Sequence, residues 1–347
     1  MIEMSETVRF REVDSIRGLA VLLMVMVHAA ATWNPHNTTQ DTMLAYLVAG
    51  LGGLAAPLFV TIFGWGLIKS KSSIRSNFIK ALILLLLQLV VNLFSPHLFH
   101  LLTPGILSLF ALLIIMKPLI VQITKNNIRT ALFILSMALV YAFSNSIYYI
   151  QGSSDWSIRV SVGDPYTLIS HLFFTGTYPL FPWITFAVVG AFLGSSITEG
   201  GKTLPRNNTT LLLIIIGMSY CLVSLILAIK ARVVWAHPTE GSYLNFFPAN
   251  IGFMIGAVTG VFIFWLIIQE SQMLLFESCG RLSLTIYVLH FLPLTLLSNI
   301  EDEGYWSVME ASLAVVLYTT AWLFFAFVWN RFQWLTIERL VRRLSSG

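Results

Sequence analysis

This chain has little charge. Of its 347 residues only 10% are Asp, Glu, Lys or Arg, whereas roughly a quarter of an ordinary soluble domain is charged. A sizeable soluble domain is excluded on that ground. Cysteine is scarce too. Cys221 and Cys279 lie in or beside apolar stretches with no CxxC spacing, which excludes a disulfide framework and offers no zinc site. There is no internal repeat and no low-complexity tract. The basic residues sit in loops next to apolar runs, so the sequence pI near 9.1 reflects those loops, and nucleic acid is not a partner.

What the chain has in abundance is apolar sequence: 57% of residues are hydrophobic, with ten Trp and eleven Tyr, and the mean hydropathy is +0.81. Trp and Tyr in such numbers suit the aromatic belts of a bilayer interface. A hydrocarbon core of about 30 Å takes roughly 20 apolar residues per helix. That window marks ten runs: 17–34, 45–68, 78–99, 104–122, 130–150, 180–198, 209–229, 249–269, 282–300 and 308–329. The expected fold is therefore all-α, a polytopic membrane helical bundle forming one transmembrane domain over 1–347. The gap 151–179 reads as a short interfacial helix or re-entrant segment. With the N-terminus inside, seventeen of the twenty Lys and Arg fall on the inner side, and only Arg159, Lys230 and Arg232 on the outer. This bias predicts an N-in, C-in chain, with 1–16 and the basic tail 330–347 cytoplasmic. All seven histidines then fall near the midplane or in the outer half.

The first run, "VDSIRGLAVLLMVMVH", carries Arg17 at its start and His28 at its end. On a helix the two are about 20° off one line and about 16 Å apart along the axis. Asp14, three residues before Arg17, lies on the same stripe and can orient the guanidinium. A plainer reading has both side chains snorkelling to the headgroups. Signal cleavage at Ala29-Ala30-Ala31 is a third, which the nine later runs argue against. Ionisable groups within a membrane are costly and tend to face a cavity, and a planar Arg fork binds phosphate bidentately. An Arg at one mouth and a His toward the other match a long, thin anionic donor threaded between them.

Other runs supply further polar faces. Ser283, Tyr287 and His290 stand at i, i+4 and i+7, within about 40° of one another. They form either a hydrogen-bonding wall or a set that satisfies itself in a tight bundle. Arg281 points the opposite way to His290, toward the inner surface. Lys69, Lys71 and Arg75 form a basic cluster at the inner end of the second run, an anchor or a phosphate dock. His97 and His100 lack accompanying Asp, Glu or Cys at ligand spacing, so no metal is expected. The loop "NIEDEGYWS" at 299–307 faces outside and is acidic.

The opening run resembles the first motif of the heparan-alpha-glucosaminide N-acetyltransferase catalytic-domain family: an Asp, then Arg-Gly, an apolar run with Met, and His or Asn at the helix end. Three segments agree in order: "TPGILSLFALL" at 103–113, "GTYPLFPWITFAVVGAFLG" at 176–194 and "CGRLSLTIYVLHFLP" at 279–293. The last is also similar to YeiB-like and acyltransferase-3 membrane proteins. The resemblance runs from about residue 9 to the C-terminus. It implies an acyltransferase that takes acetyl from cytosolic acetyl-CoA and passes it to a sugar amine or hydroxyl on the far side. Under it Arg17, with Lys69, Lys71, Arg75 and Arg281, holds the donor, and Asp14 orients Arg17. His28 is the base, and Ser283, Tyr287, His290 and Trp183 meet the acceptor. His36 is a second candidate base, since some members carry Asn at the helix end and the histidine in the following loop. A covalent acetyl-histidine and direct attack both stay open.

A secondary transporter is the competing reading, weakened by the lack of repeated halves with paired broken helices. A structural subunit would have no need of these polar faces. The expected setting is the cell membrane, with a homodimer as one arrangement the resemblance allows.

Overall fold

A computed structural model of the chain describes residues 10–33, 48, 50–142, 150–196, 202–238, 241–271, 274–298, 307–332 and 334–345. These are mostly helical. In chain order the helices are α1 (Arg11–Thr32), α2 (Ala55–Lys69), α3 (Ile74–Phe94), α4 (Ile106–Ile115), α5 (Lys117–Thr124), α6 (Asn127–Ala142), α7 (Trp156–Val160) and α8 (Pro165–Ser170). There follow a π-helical turn (His171–Thr175), α9 (Leu180–Ser195), α10 (Asn208–Ala231), α11 (Ile251–Ser271), α12 (Leu274–Arg281), α13 (Ser283–Leu289), α14 (Phe291–Leu296), α15 (Val308–Trp329) and α16 (Ile337–Ser345). Among the described residues the β structure is one two-residue pair, Ala236–His237 with Leu244–Asn245.

Each of the ten apolar runs has a helical counterpart, but the count of spans comes out lower. Among the described residues six helices are long and apolar enough to cross a membrane, or eight if two bent pairs each count as one. Run 104–122 bends by 69° between α4 and α5. Pro118 explains the break, because it lacks the N–H that would continue α4. Run 180–198 is α9, bent by 42° from the preceding 165–175 segment. Run 130–150 gives α6, and 143–149 lie outside the described residues. Run 282–300 becomes two short helices joined at His290. Pro293 causes that break, since it has no N–H for the Leu289 carbonyl and its ring collides there. Hydropathy averaged over a window detects apolar residues but not these changes of direction. Within 151–179 the chain makes two short helices and the π turn.

The core is built from α1, α2, α4, α9 and α11, whose Ile16, Val21, Leu58, Ile62, Leu109, Phe186 and Trp265 are buried. Around it, α3, α6, α10 and α15 turn Leu82, Leu132, Leu212, Ile216, Leu222, Leu317 and Phe324 outward. Such a girdle is unfavourable in water and satisfied in lipid. Two crossings fix the core. A Cβ on Gly18 would lie 1.9 Å from the Phe276 carbonyl oxygen, and one on Gly280 1.7 Å from that of Asp14. Backbones of α1 and α12 therefore touch, which only glycine permits. Gly64 and Gly190 do the same for α2 and α9, at 2.1 Å from the Ala187 oxygen and 1.7 Å from the Thr61 oxygen.

Buried polar bonds then tie the motif segments together. The Gln88 amide donates to Asn92 at 2.9 Å and accepts from the Leu107 N–H at 3.2 Å. Asn92 donates to the carbonyls of Leu101 and Thr103, and the Thr177 hydroxyl donates to that of Pro104 at 2.6 Å. Arg159, placed on the outer side by the sequence reading, is buried. It donates to the carbonyls of Thr175, Gly176 and Gln151 at 3.1, 2.8 and 2.9 Å and so folds the 151–179 segment onto the bundle.

Candidate active site

The α1–α12 crossing brings together the charged residues at one end of the bundle. Arg17 Nη1 donates to Asp14 Oδ1 at 3.0 Å. Arg11 Nε donates to Glu277 Oε2 at 3.1 Å, and Arg281 Nη2 pairs with Glu277 Oε1. Both carboxylates are buried, while the guanidinia of Arg17 and Arg281 are about one-third exposed, at 32% and 30%. Burial pushes the Glu277 carboxyl up, but its hydrogen bonds from Arg281 and Arg11 outweigh this and hold it below the ordinary range. Among the described residues Arg281 Nε has no hydrogen-bond partner. Three guanidinia against two carboxylates leave one net positive charge here.

Lys69 reaches the same end, its ammonium 5.7 Å over the Trp65 ring, which itself packs edge-on to Phe10 at 5.1 Å. Lys71 and Arg75 are exposed in and after the α2–α3 turn. The basic cluster thus lies on the α2–α3 side of the Arg17 end. Glu338, from α16, also lies at this end. It caps α13 by accepting from the N–H groups of Leu284 and Thr285 at 2.8 and 3.0 Å.

Farther along α1, His28 meets a residue 262 positions away. Its Nδ1 lies 2.8 Å from His290 Nε2, with the rings 8° from parallel. His290 Nδ1 lies 3.0 Å from the Ile286 carbonyl oxygen. A carbonyl only accepts, so His290 carries its proton on Nδ1 and its Nε2 is the acceptor. His28 must then carry its proton on Nδ1, which leaves a lone pair on His28 Nε2. Among the described residues nothing hydrogen-bonds that nitrogen. The Tyr318 hydroxyl donates to the His290 carbonyl. His97, outside the long helices, bridges the hydroxyls of Thr32 and Thr295 at 3.1 and 3.2 Å, and burial lowers its basicity.

Tyr287 is 6.0 Å from the His290 ring and belongs to this pair's surroundings. Ser283, also buried, is at the other end of α13 near the Glu338 cap. Trp183 is buried within Tyr178, Phe246, Phe186 and Phe253 at 5.1 to 6.1 Å. It does not touch the histidines. An aromatic series connects the two places instead. His28 packs on Phe99 (6.5 Å), Phe99 on Trp156 (6.0 Å), Trp156 on Phe247 (5.3 Å) and Phe247 on Tyr178 (6.2 Å). Phe99 and Trp156 are half-buried. The sequence reading missed them because Phe99 lies in a connection and Trp156 opens a five-residue helix, both too short for periodicity to mark a face. His36 and the acidic residues of 299–306 lie outside the described residues. Among the described residues no group of His, Cys, Asp or Glu is arranged to hold a metal ion.

A family model described as heparan-alpha-glucosaminide N-acetyltransferase, catalytic, matches residues 9–226. It takes in Asp14, Arg17, His28 and the segments at 103–113 and 176–194, and it stops before His290. No curated protein matches the chain.

Proposed function

From the membership of this chain in the heparan-alpha-glucosaminide N-acetyltransferase catalytic family, we propose that it moves acetyl from cytosolic acetyl-CoA to an amine or hydroxyl of a sugar-like acceptor across the bilayer. The family makes it a multi-pass membrane acetyltransferase. The observation that supports the finer reading is the position of two sites on one helix. α1 carries a cationic, partly open site at Arg17 and a histidine pair with a bare ring nitrogen at His28.

Arg17 and Arg281 take the donor's phosphates, Arg17 held in place by Asp14. The pantetheine arm then runs along α1, whose axial rise between Arg17 and His28 is about 16 Å. The acceptor enters beside Phe99 and Trp156, whose rings offer flat faces to the C–H face of a sugar. Its O–H or N–H gives the proton to His28 Nε2 as the oxygen or nitrogen attacks the thioester carbonyl carbon. The C–S bond then breaks, and the thiolate recovers a proton from the imidazolium. His290 and the Ile286 carbonyl hold His28 in the tautomer that exposes Nε2, a role like that of the carboxylate in a hydrolase triad. An acetyl carried on His28 Nε2 would start from the same bare nitrogen.

The test is transfer from radiolabelled acetyl-CoA to a panel of amino sugars by the chain in nanodiscs, with His28→Gln alongside. The expected result is acceptor-dependent label transfer that falls by about 10²-fold or more in His28→Gln, as for removal of a positioned base. Label that stays on CoA with every acceptor, together with sugar uptake independent of acetyl-CoA, would replace this reading with that of a transporter.

A further inference from the structure

Helix α16 has three arginines, Arg339, Arg342 and Arg343, and a single acid, Glu338. That acid is committed elsewhere. Its Oε1 accepts from Leu284 N and Thr285 N, and its Oε2 from the Thr285 hydroxyl at 2.5 Å. Ile337 N in turn donates to Thr285 Oγ1 at 2.9 Å. The helix is thus stapled to the start of α13 by its one negative charge, and the arginines remain on its exposed side. Between α16, α13 and the 334–336 turn runs an open groove. Leu289, Trp334, Leu335 and Leu340 line it, and Arg339 and Arg343 contribute to the same surface. Trp334, Leu335 and Leu340 are 62, 49 and 52% exposed. The Trp329 indole N–H, donating to the Leu335 carbonyl at 3.0 Å, holds the turn that presents them.

We propose that this groove docks an anionic phospholipid, whose headgroup phosphate lies on Arg339 and Arg343 and whose acyl chain covers Trp334, Leu335 and Leu340. Charge complementarity favours that occupant. A guanidinium fork fits phosphate oxygens bidentately, and Arg339 and Arg343 are exposed beside the apolar wall. A soluble phosphate compound satisfies the arginines but leaves three large apolar side chains in water. A zwitterionic lipid covers the apolar wall but brings its own cation to the arginines. The position fits as well. α16 comes after α15 across residues 330–336 and lies beside α13, at the end of the bundle that holds Arg17, so the groove opens at a bilayer surface, where basic amphipathic helices meet anionic headgroups.

Native mass spectrometry of the full chain in detergent, titrated with phosphatidylglycerol or phosphatidylcholine, tests this independently of any transferase activity. Phosphatidylglycerol is expected to be retained about tenfold more than phosphatidylcholine, corresponding to about 1.4 kcal/mol. In Arg339→Gln/Arg343→Gln the preference should vanish, while Lys125→Gln/Arg129→Gln, with the same change in charge, keeps it. Leu340→Ser should weaken retention without touching charge. Melting temperatures measured without lipid confirm that the variants are folded. Equal retention of both lipids by the wild type would overturn the proposal. So would an unchanged preference in the arginine variant, or displacement of the lipid by an equal concentration of inorganic phosphate or acetyl-CoA.

Discussion

His28 and His290 form a unit whose proton order is set by one backbone carbonyl. Replacing His290 by Gln removes the ring that accepts from His28 Nδ1 but leaves the Arg17–Asp14 pair intact. The expected outcome is a fall in kcat of about 10²-fold, the lower end for positioned acid–base groups, with KM for acetyl-CoA unchanged within about twofold. Steady-state kinetics in nanodiscs measure both. Glu277 sets a second prediction at this scale. Its carboxyl is held below the ordinary value of 4.5 by Arg281 and Arg11. The stability it contributes is therefore complete above that value and lost as pH falls through the lower value of the folded protein. The melting-temperature gap between wild type and Glu277→Gln should be constant from neutral pH to about pH 5.5 and close on further acidification. The position of Arg17, Asp14 and His28 on one helix was legible in their spacing, because a helix converts sequence interval into angle. The pairing of His28 with His290 was not, since it depends on how α1 and α13 pack. Nor was the burial of Arg159, which is paid for by three loop carbonyls that carry no sequence signature.

At the scale of elements, the Arg-Gly pair in the first motif has a mechanical meaning. Arg17 supplies charge, and Gly18 lets α12, which carries Glu277 and Arg281, pack its backbone against that of α1. Gly18→Ala places a methyl 1.9 Å from the Phe276 oxygen, so the two helices must separate. Overpacking of this kind costs about 1–3 kcal/mol, and backbone rather than side chain stands in the way. The variant is expected to melt at lower temperature, and its affinity for acetyl-CoA to fall as Arg281 moves from Arg17. A thermal melt with and without donor reports both. Helix existence could be read from the sequence over nearly the whole chain. Helix continuity could not, because Pro118 and Pro293 lie inside runs whose average hydropathy hides them. The second of these breaks places His290 at a helix junction, at the point where it meets His28.

For the molecule as a whole, the arrangement is polarised. The start of α1 and the C-terminal helix share one end, linked through Arg11–Glu277 and Glu338–Leu284. The histidine pair and its aromatic surroundings lie farther along α1. The positive-inside bias of the sequence predicts a cytoplasmic Arg17 end, where the proposed CoA donor would arrive. The account stands or falls on Arg17 as the donor's phosphate site and His28 as a group needed for chemistry. The most direct measurement is the melting temperature of the purified chain with saturating acetyl-CoA, in the wild type, Arg17→Ala and His28→Ala. A ligand that binds only the folded state stabilises it by about 2.7 kcal/mol at a hundredfold excess over its Kd. The account predicts that this shift appears in the wild type, survives in His28→Ala and disappears in Arg17→Ala. No shift in folded wild-type protein, or an equal shift in Arg17→Ala, would contradict it.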